Sequence, residues 1–215
     1  MELDWGSLED EIQEIAHDFE IDLNCVVVAN HALTLEGIDR AEDIELTKIQ
    51  EGFAHEDYET VRSITGHLQN FYEDLRQAAN RLALVGLVTR LQHWTDRFVI
   101  QTKVKSERVY DSLLANEIAA LNKFLGVGPI PEMFFQDLVT ARDSIIHADS
   151  KAEWLYHGSL RKVADHHRNG FDVEITKEQL ADAVQKAAQQ VKWYDEKINA
   201  SRISPKTTGT SPSSP

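Results

Sequence analysis

Cysteine, proline and long apolar runs are the features that this sequence has least of. Cys25 is the single cysteine, so no disulfide can form within the chain. Three of the five prolines lie after residue 200, and few are left to interrupt the rest. The longest apolar runs, 25–29 and 82–88, fall short of the roughly 18 residues that a membrane-spanning helix needs. These absences exclude a disulfide-stabilised scaffold and a protein that spans a membrane by helices.

Targeting signals are also missing from the start of the chain. The first six residues, MELDWG, are acidic and have neither the basic nor the apolar segment of a secretory signal. By exclusion, the expected location is the cytoplasm, and no membrane partner is expected.

Basic side chains are scarce in the first 60 residues. This part holds 18 acidic and 2 basic residues, a net charge of −16. Residues 61–215 hold 18 acidic and 20 basic residues, a net of +2, so the two parts sum to the −14 of the whole chain. An acidic surface repels nucleic acid. The later part of the chain can still present a basic groove to RNA.

The sequence is rich in helical periodicity. Over 59–99, apolar residues recur every three or four positions, which predicts one long central helix that buries Val61, Ile64, Leu68, Phe71, Leu75, Ala78, Leu82 and Val85. A second helix is expected over 106–125, with Leu113, Ile118, Leu121 and Leu125 inside. A third is expected over 131–147, because Pro131 suits a first helical position.

Two capping boxes mark further helix starts. Ser7 with Asp10 precedes an amphipathic helix, and Thr176 with Gln179 precedes another. In the second of these helices, apolar residues recur at alternating steps of four and three. This spacing indicates a seam within a bundle or between subunits. The seam is formed by Leu180, Val184, Ala187, Val191, Tyr194 and Ile198.

The remaining segments have weaker patterns. The stretch 21–37 is interpreted as a buried helix or extended segment, and 38–58 as a short helix or loop. A connector of some 28 residues follows His147, and its end, 171–176 (FDVEIT), is compatible with a short hairpin. The expected fold is an all-α antiparallel bundle. It comprises an acidic helical section (1–58) packed on the bundle, the bundle itself (59–200) and a disordered tail (201–215).

One short motif carries a possible chemistry. In 138–150, LVTARDSIIHADS, Arg142 and Asp143 are followed by His147. A helix turns roughly 100° per residue, so Asp143 and His147 share a face, and the long Arg142 side chain can curl back toward the imidazole. Cleavage of RNA without a metal needs a base and an acid near neutral pH, which histidine supplies. Arginine can hold the phosphate, and a carboxylate can orient the ring.

Arg-(Asn/Asp/His)-x-x-x-His late in a compact helical chain resembles the signature of the HEPN superfamily. Many members are metal-independent ribonucleases of toxin–antitoxin, abortive-infection and CRISPR-linked defence systems. The resemblance implies an antiparallel helical bundle over roughly residues 59–200. It also implies a homodimer in which two motifs face each other, and a cognate inhibitor or antitoxin as a partner. Arg142 and His147 would be the catalytic pair, with Asp143 as polar helper and no cofactor.

Other residues have a structural and a functional interpretation. The bases Arg97, Lys103, Lys105 and Arg108 can line an RNA groove or belong to a solvated helix face. Cys25 is expected to be a buried small side chain. No metal site is expected, because no histidine pair has the His-x-x-x-His spacing; the nearby candidates are His147, Asp149, His157, Asp165, His166 and His167.

Three hypotheses follow from the sequence. The first is a homodimeric endoribonuclease that cleaves RNA through Arg142 and His147. The second is a noncatalytic helical binding module whose acidic first 60 residues engage a basic partner. The third is a nucleotide-binding HEPN protein in which Arg142 contacts phosphate.

Overall fold

The computed structural model describes residues 17–53, 58–146 and 174–203. Every regular element in these ranges is a helix. The helices are the π-helical α1 (Asp22–Ala29), then α2 (Asn30–Gly52), α3 (Tyr58–Thr102), α4 (Leu113–Leu125), α5 (Glu132–Ile146) and α6 (Lys177–Ile203). The predicted all-α bundle with one long helix is confirmed. None of the described helices is long and apolar enough to cross a membrane.

Helix α3 is the axis of the molecule, because all the other helices pack on it. α1 and α2 run antiparallel to it, since Asp22 contacts Arg90 and Trp94, whereas further along the chain Asp39 contacts Arg76. The core lies around the second half of α3, where the buried apolar residues are Leu84, Leu87, Val88, Leu91, Trp94 and Phe98.

Helices α4, α5 and α6 complete the bundle around this half of α3. α5 turns back along α4, so these two helices are antiparallel. Near the α4 C-terminus Asn122 bonds Glu132, whereas Ser112, just before α4, bonds Gln136 further along α5. α6 runs parallel to α3, because Ile175 contacts Gln77 and Asn80 at one end and Tyr194 contacts Phe98 at the other.

A buried polar network joins α4, α5 and α6. The Asn122 side chain accepts hydrogen bonds from Gln190 at 2.9 Å and from the Tyr194 hydroxyl at 3.1 Å, and it donates to Glu132 at 2.7 Å. The Gln190 side chain also accepts the backbone N–H of Ile130. Burial without hydrogen bonds would be costly for these groups, so the network fixes the relative positions of the three helices.

Helix α6 begins and packs as the sequence predicts. The Thr176 hydroxyl accepts the Gln179 backbone N–H, and the Gln179 side chain accepts the Thr176 backbone N–H. This is the predicted capping box. The predicted seam faces the core of the same chain and not a second subunit: Leu180, Ala187, Val191, Tyr194 and Ile198 are buried and Val184 is half-buried.

Several sequence predictions are wrong in detail. Of the two alternatives for 38–58, the helix is observed as far as Gly52, but it is not short, because it continues from Asn30. Helix α4 starts at Leu113 and not at 106, because Ser112 caps it by accepting the Ala115 backbone N–H. Leu113 is 59 % exposed, although the periodicity predicts it inside. Cys25 is exposed and not buried.

The buried face of α3 also differs from the predicted one. Phe71, Leu75 and Leu82 are 55 %, 36 % and 71 % exposed, whereas Tyr72 and Ala79 are buried. In this part of α3 the neighbour is α2, which contacts Arg76, so the covered side is set by α2 and not by the strongest apolar stripe.

Other predictions concern residues outside the described ranges. These are most of the first amphipathic helix (7–16), His147 with the connector to 173, and the tail from 204. Of the proposed hairpin near 170–176, residues 174–176 are described and contain neither helix nor strand.

Candidate functional site

The C-terminal turns of α5 present Arg142 and Asp143 at the protein surface. Leu138, Ala141 and Ser144 are buried against the bundle, so the residues between them fall at the edge of the packed face. The Arg142 side chain is 24 % exposed and that of Asp143 is 48 % exposed. The first half of the predicted motif is therefore accessible to a ligand.

Arg142 is held by one carboxylate oxygen. Its Nε and one terminal nitrogen donate to Oδ1 of Asp143 at 2.9 and 2.6 Å. A guanidinium has about five N–H donors, so about three are not used by these two bonds to a described residue. The pair orients the guanidinium while leaving donors for an anion.

The structure brings together two of the three predicted catalytic residues. Asp143, expected to orient His147, contacts Arg142. His147 itself lies outside the described residues, one position after α5 ends at Ile146. Its role stays a prediction from the sequence.

The four predicted RNA-binding residues do not form one group. The Arg97 guanidinium lies over the Trp94 ring, 4.8 Å from its centroid, and Trp94 in turn contacts Phe19 near α1. Lys103, Lys105 and Arg108 lie together in the connector between α3 and α4, residues 103–112, where all three are exposed. None of these three forms an ion pair with a described carboxylate.

The connector 103–112 is fixed to α4 by Asn116. The Asn116 side-chain oxygen accepts the backbone N–H groups of Val109 and Tyr110, both at 2.7 Å. Its amide nitrogen donates to the carbonyl groups of Tyr110 and Ser112. Four bonds from one buried side chain give the basic connector a defined path over α4.

Arg142 and Lys105 lie toward opposite ends of α4, because Lys105 lies with Lys123 and Phe124 near the α4 C-terminus. α5 starts beside Asn122 and runs past Ser112, the last residue of the connector, to which Gln136 bonds at 3.0 Å. Arg142 is six residues further along α5 in that direction. A ligand that contacts both the basic residues and the motif must therefore extend along α4.

The sequence did not predict a carboxyl pair that lies between α3 and α4. The Gln92 side-chain nitrogen donates to Asp96 at 2.9 Å and to Glu117 at 2.8 Å. Burial raises the pKa of Glu117 to about 8, and the hydrogen bond to Asp96 and its charge add to this effect. The sequence did contain a signal for the burial of Glu117. This residue lies three positions after Leu114 and four before Leu121, on the helix face predicted to be buried.

An apolar groove separates α1 and α2 from α6. Its cavity of about 530 Å³ is lined mainly by apolar residues, among them Val27, Leu35, Leu180 and Val184. At the groove, His31 bonds the Asn80 side-chain oxygen at 2.7 Å, and the Asn80 nitrogen donates to the Ile175 carbonyl. Because the Asn80 oxygen is the acceptor of the first bond, Nε2 of His31 carries the proton.

Metal ligands are not grouped in the described residues: no three of His, Cys, Asp or Glu in 17–53, 58–146 and 174–203 lie close enough to hold an ion. In comparisons with known proteins, no family model, no curated protein and no solved structure matches this chain. The resemblance to the HEPN superfamily therefore rests on the motif of 142–147 in its helical setting.

Proposed function

We propose that this protein is a metal-independent endoribonuclease of the HEPN type, acting in the cytoplasm as a homodimer. Arg142 and His147 would be the catalytic pair, and RNA the substrate. A toxin or phage-defence role, held in check by a cognate inhibitor, is the biological setting that the family resemblance suggests.

The accessible guanidinium of Arg142 is the observation that carries this proposal. A structural arginine is expected to be enclosed by several carboxylates, whereas among the described residues Arg142 contacts one carboxylate oxygen, that of Asp143. α5 remains helical up to Ile146, so the backbone that precedes His147 is regular. The exposed bases Lys103, Lys105 and Arg108 lie in the connector beside α4 and can hold the RNA backbone.

The proposed chemistry is attack of a ribose 2′-oxygen on its own phosphate. One histidine takes the 2′-hydroxyl proton, and a histidine or water returns a proton to the departing 5′-oxygen. The Arg142 guanidinium binds the nonbridging oxygens, which gain charge as the phosphate becomes pentacoordinate. Asp143 is assigned to positioning this guanidinium. The products are a 2′,3′-cyclic phosphate and a 5′-hydroxyl.

The test is cleavage of single-stranded RNA by the purified protein in the presence of EDTA. Arg142→Ala and His147→Ala are each expected to lower the rate at least about 100-fold, a typical effect of losing an acid–base or charge-stabilising group. Arg40→Ala and His67→Ala, which remove exposed residues on α2 and α3, are matched controls and should cleave like the wild type. Equal cleavage by all five proteins, or none by the wild type, would reject the proposal.

The groove between α1–α2 and α6 favours a second candidate, a noncatalytic binding module. Its volume is in the range of about 300–1,000 Å³ typical of ligand sites. Its margin includes Glu36 and Lys177, and Asp39 is paired with Arg76, so a ligand or peptide with an apolar side and a polar edge would fit. Leu35→Glu should abolish capture of such a partner, whereas Arg142→Ala should not. The nucleotide-binding alternative predicts instead that Arg142→Ala abolishes binding when ATP is titrated against the protein.

A further inference from the structure

A cleft lies between the connector 103–112 and the outer face of α4. Its volume is about 360 Å³, and it is lined by Val104, Lys105, Glu107, Val109, Asn116, Ala119, Ala120, Lys123 and Phe124. The connector forms one wall, and the four hydrogen bonds of Asn116 hold it there. A cleft whose wall is fixed by a buried side chain is a preformed site.

Large apolar side chains are exposed in and beside this cleft. Phe124 is 61 % exposed and Val109 is 68 % exposed, although α4 has a well-buried opposite face. An exposed phenylalanine ring offers a flat surface on which a nucleobase can stack irrespective of its identity.

Positive charge surrounds the same ring. Lys105 and Lys123 line the cleft, and Lys103 and Arg108 lie in the wall-forming connector. None of the four forms an ion pair with a carboxylate in the part of the chain that the structure describes. Glu107 is the one acidic residue in the lining, so the cations prevail. Unpaired cations around an exposed ring are complementary to a chain of phosphates with unstacked bases.

We propose that this cleft binds single-stranded RNA, with one base stacked on Phe124 and the adjoining phosphates held by Lys105 and Lys123. The inference rests on the proposed nuclease function and adds a substrate subsite to it. Because α5 is antiparallel to α4, a strand that follows α4 from Phe124 toward Ser112 continues toward Arg142. A duplex, whose bases are already paired and stacked, cannot use the ring.

The test separates binding from cleavage. A fluorescein-labelled 2′-O-methyl RNA of mixed sequence lacks the attacking hydroxyl, so its anisotropy reports affinity alone. Phe124→Ala should weaken binding roughly tenfold, the effect of losing one stacked base. Lys105→Ala with Lys123→Ala should lower the slope of log affinity against log salt by about 1.4, since each phosphate contact on a single strand contributes about 0.7. Glu107→Gln should tighten binding, an effect that misfolding cannot produce.

Matched controls come from the opposite part of the molecule. Phe71→Ala and Arg62→Glu change an exposed aromatic and an exposed cation on α3 and should bind like the wild type. A labelled 2′-O-methyl duplex should bind more weakly than the single strand and should not respond to Phe124→Ala.

The outcomes distinguish the two proposals. If Arg142→Ala stops cleavage while the Phe124, lysine and Glu107 variants bind and cleave like the wild type, the cleft proposal fails and the nuclease proposal stands. If the wild type binds the probe through the cleft but cleaves no RNA, the nuclease proposal fails and the cleft remains an RNA site. If the cleft variants instead change only the sedimentation coefficient, the surface joins two copies of the chain and the RNA assignment is overturned.

Discussion

At the scale of single residues, Glu117 shows how burial can store a proton. The unfolded chain releases this proton near the usual value of 4.5, whereas the folded protein retains it to about pH 8. Between these values the folded state binds more protons than the unfolded state. Stability therefore falls as pH rises through this window, and this group adds no further change below or above it.

Glu117→Gln is expected to remove that dependence. Glutamine keeps the shape of the protonated acid, can accept from Gln92 and can donate to Asp96. The variant should be more stable than the wild type at pH 7 by on the order of 2 kcal/mol, with the difference vanishing near pH 4. Urea unfolding between pH 4 and 8 measures this. Glu107→Gln, in the exposed connector, should leave the profile unchanged, and an unaltered slope in Glu117→Gln would contradict the assignment.

Gly128 is a second residue whose neighbours fix the outcome of a substitution. A Cβ added there would lie 2.5 Å from the Asn122 side-chain oxygen and 2.8 Å from Cγ. Asn122 cannot move without breaking its bonds to Gln190, Tyr194 and Glu132. Gly128→Ala should therefore destabilise the protein by about 1–3 kcal/mol, measured by urea unfolding.

Gly66 is the matched control, because its substitution by alanine is expected to change stability in the opposite direction. It lies inside α3 with nothing within 4 Å of an added Cβ. Gly66→Ala should stabilise the protein by about 0.5–1 kcal/mol, because alanine is the better helix former. Two alanine substitutions that change stability equally would show that the contact at Gly128 is not restrictive.

At the scale of elements, local patterns predicted most helices because each carries its own start and stop signals. The capping box of Thr176 and Gln179 and the position of Pro131 placed the beginnings of α6 and α5 within a residue or so. The start of α4 was misplaced for a reason visible only in the structure. Asn116 binds the backbone of Val109 and Tyr110, so these residues have a non-helical partner for their N–H groups.

The faces of the helices were harder to predict than their bounds. Periodicity identifies apolar stripes, but the stripe that becomes buried depends on which helix packs there. Phe71 and Leu82 belong to the strongest stripe of α3 and are exposed, because α2 covers another side. At the candidate site, the sequence identified Arg142 and Asp143 but not their contact, since neighbouring residues on a helix do not normally face each other.

The connector 103–112 permits a prediction about a whole segment. Asn116→Ala removes four hydrogen bonds and leaves the N–H groups of Val109 and Tyr110 without that acceptor. Their amide protons should exchange with solvent faster by at least about tenfold, and stability should drop by about 1–3 kcal/mol. Hydrogen exchange followed by NMR measures both. If only distant amides in α6 respond, Asn116 does not fix the connector.

At the scale of the whole molecule, most of the excess negative charge and the candidate site lie in different parts of the chain. Residues 1–60 carry a net charge of −16, while the candidate site and the cleft lie in the part with a net of +2. RNA is then expected to approach the α4–α5 side and to avoid α2. One Arg142 per chain also suggests why a pair of subunits would be useful, because the second copy doubles the cationic and acid–base groups at one phosphate.

A subunit-mixing experiment tests this shared site. Arg142→Ala and His147→Ala proteins, each inactive alone, are unfolded together, refolded and allowed to form mixed dimers, whose presence is verified with two affinity tags. If one phosphate is bound by groups from both chains, a mixed dimer retains one arginine and one histidine that can act together. Random pairing makes half of the dimers mixed, and each mixed dimer keeps one of the two Arg142–His147 combinations of the wild type. The activity should therefore recover to about a quarter of the wild-type value. Mixed dimers without activity would mean that each chain needs its own Arg142 and His147, and the composite site would be wrong.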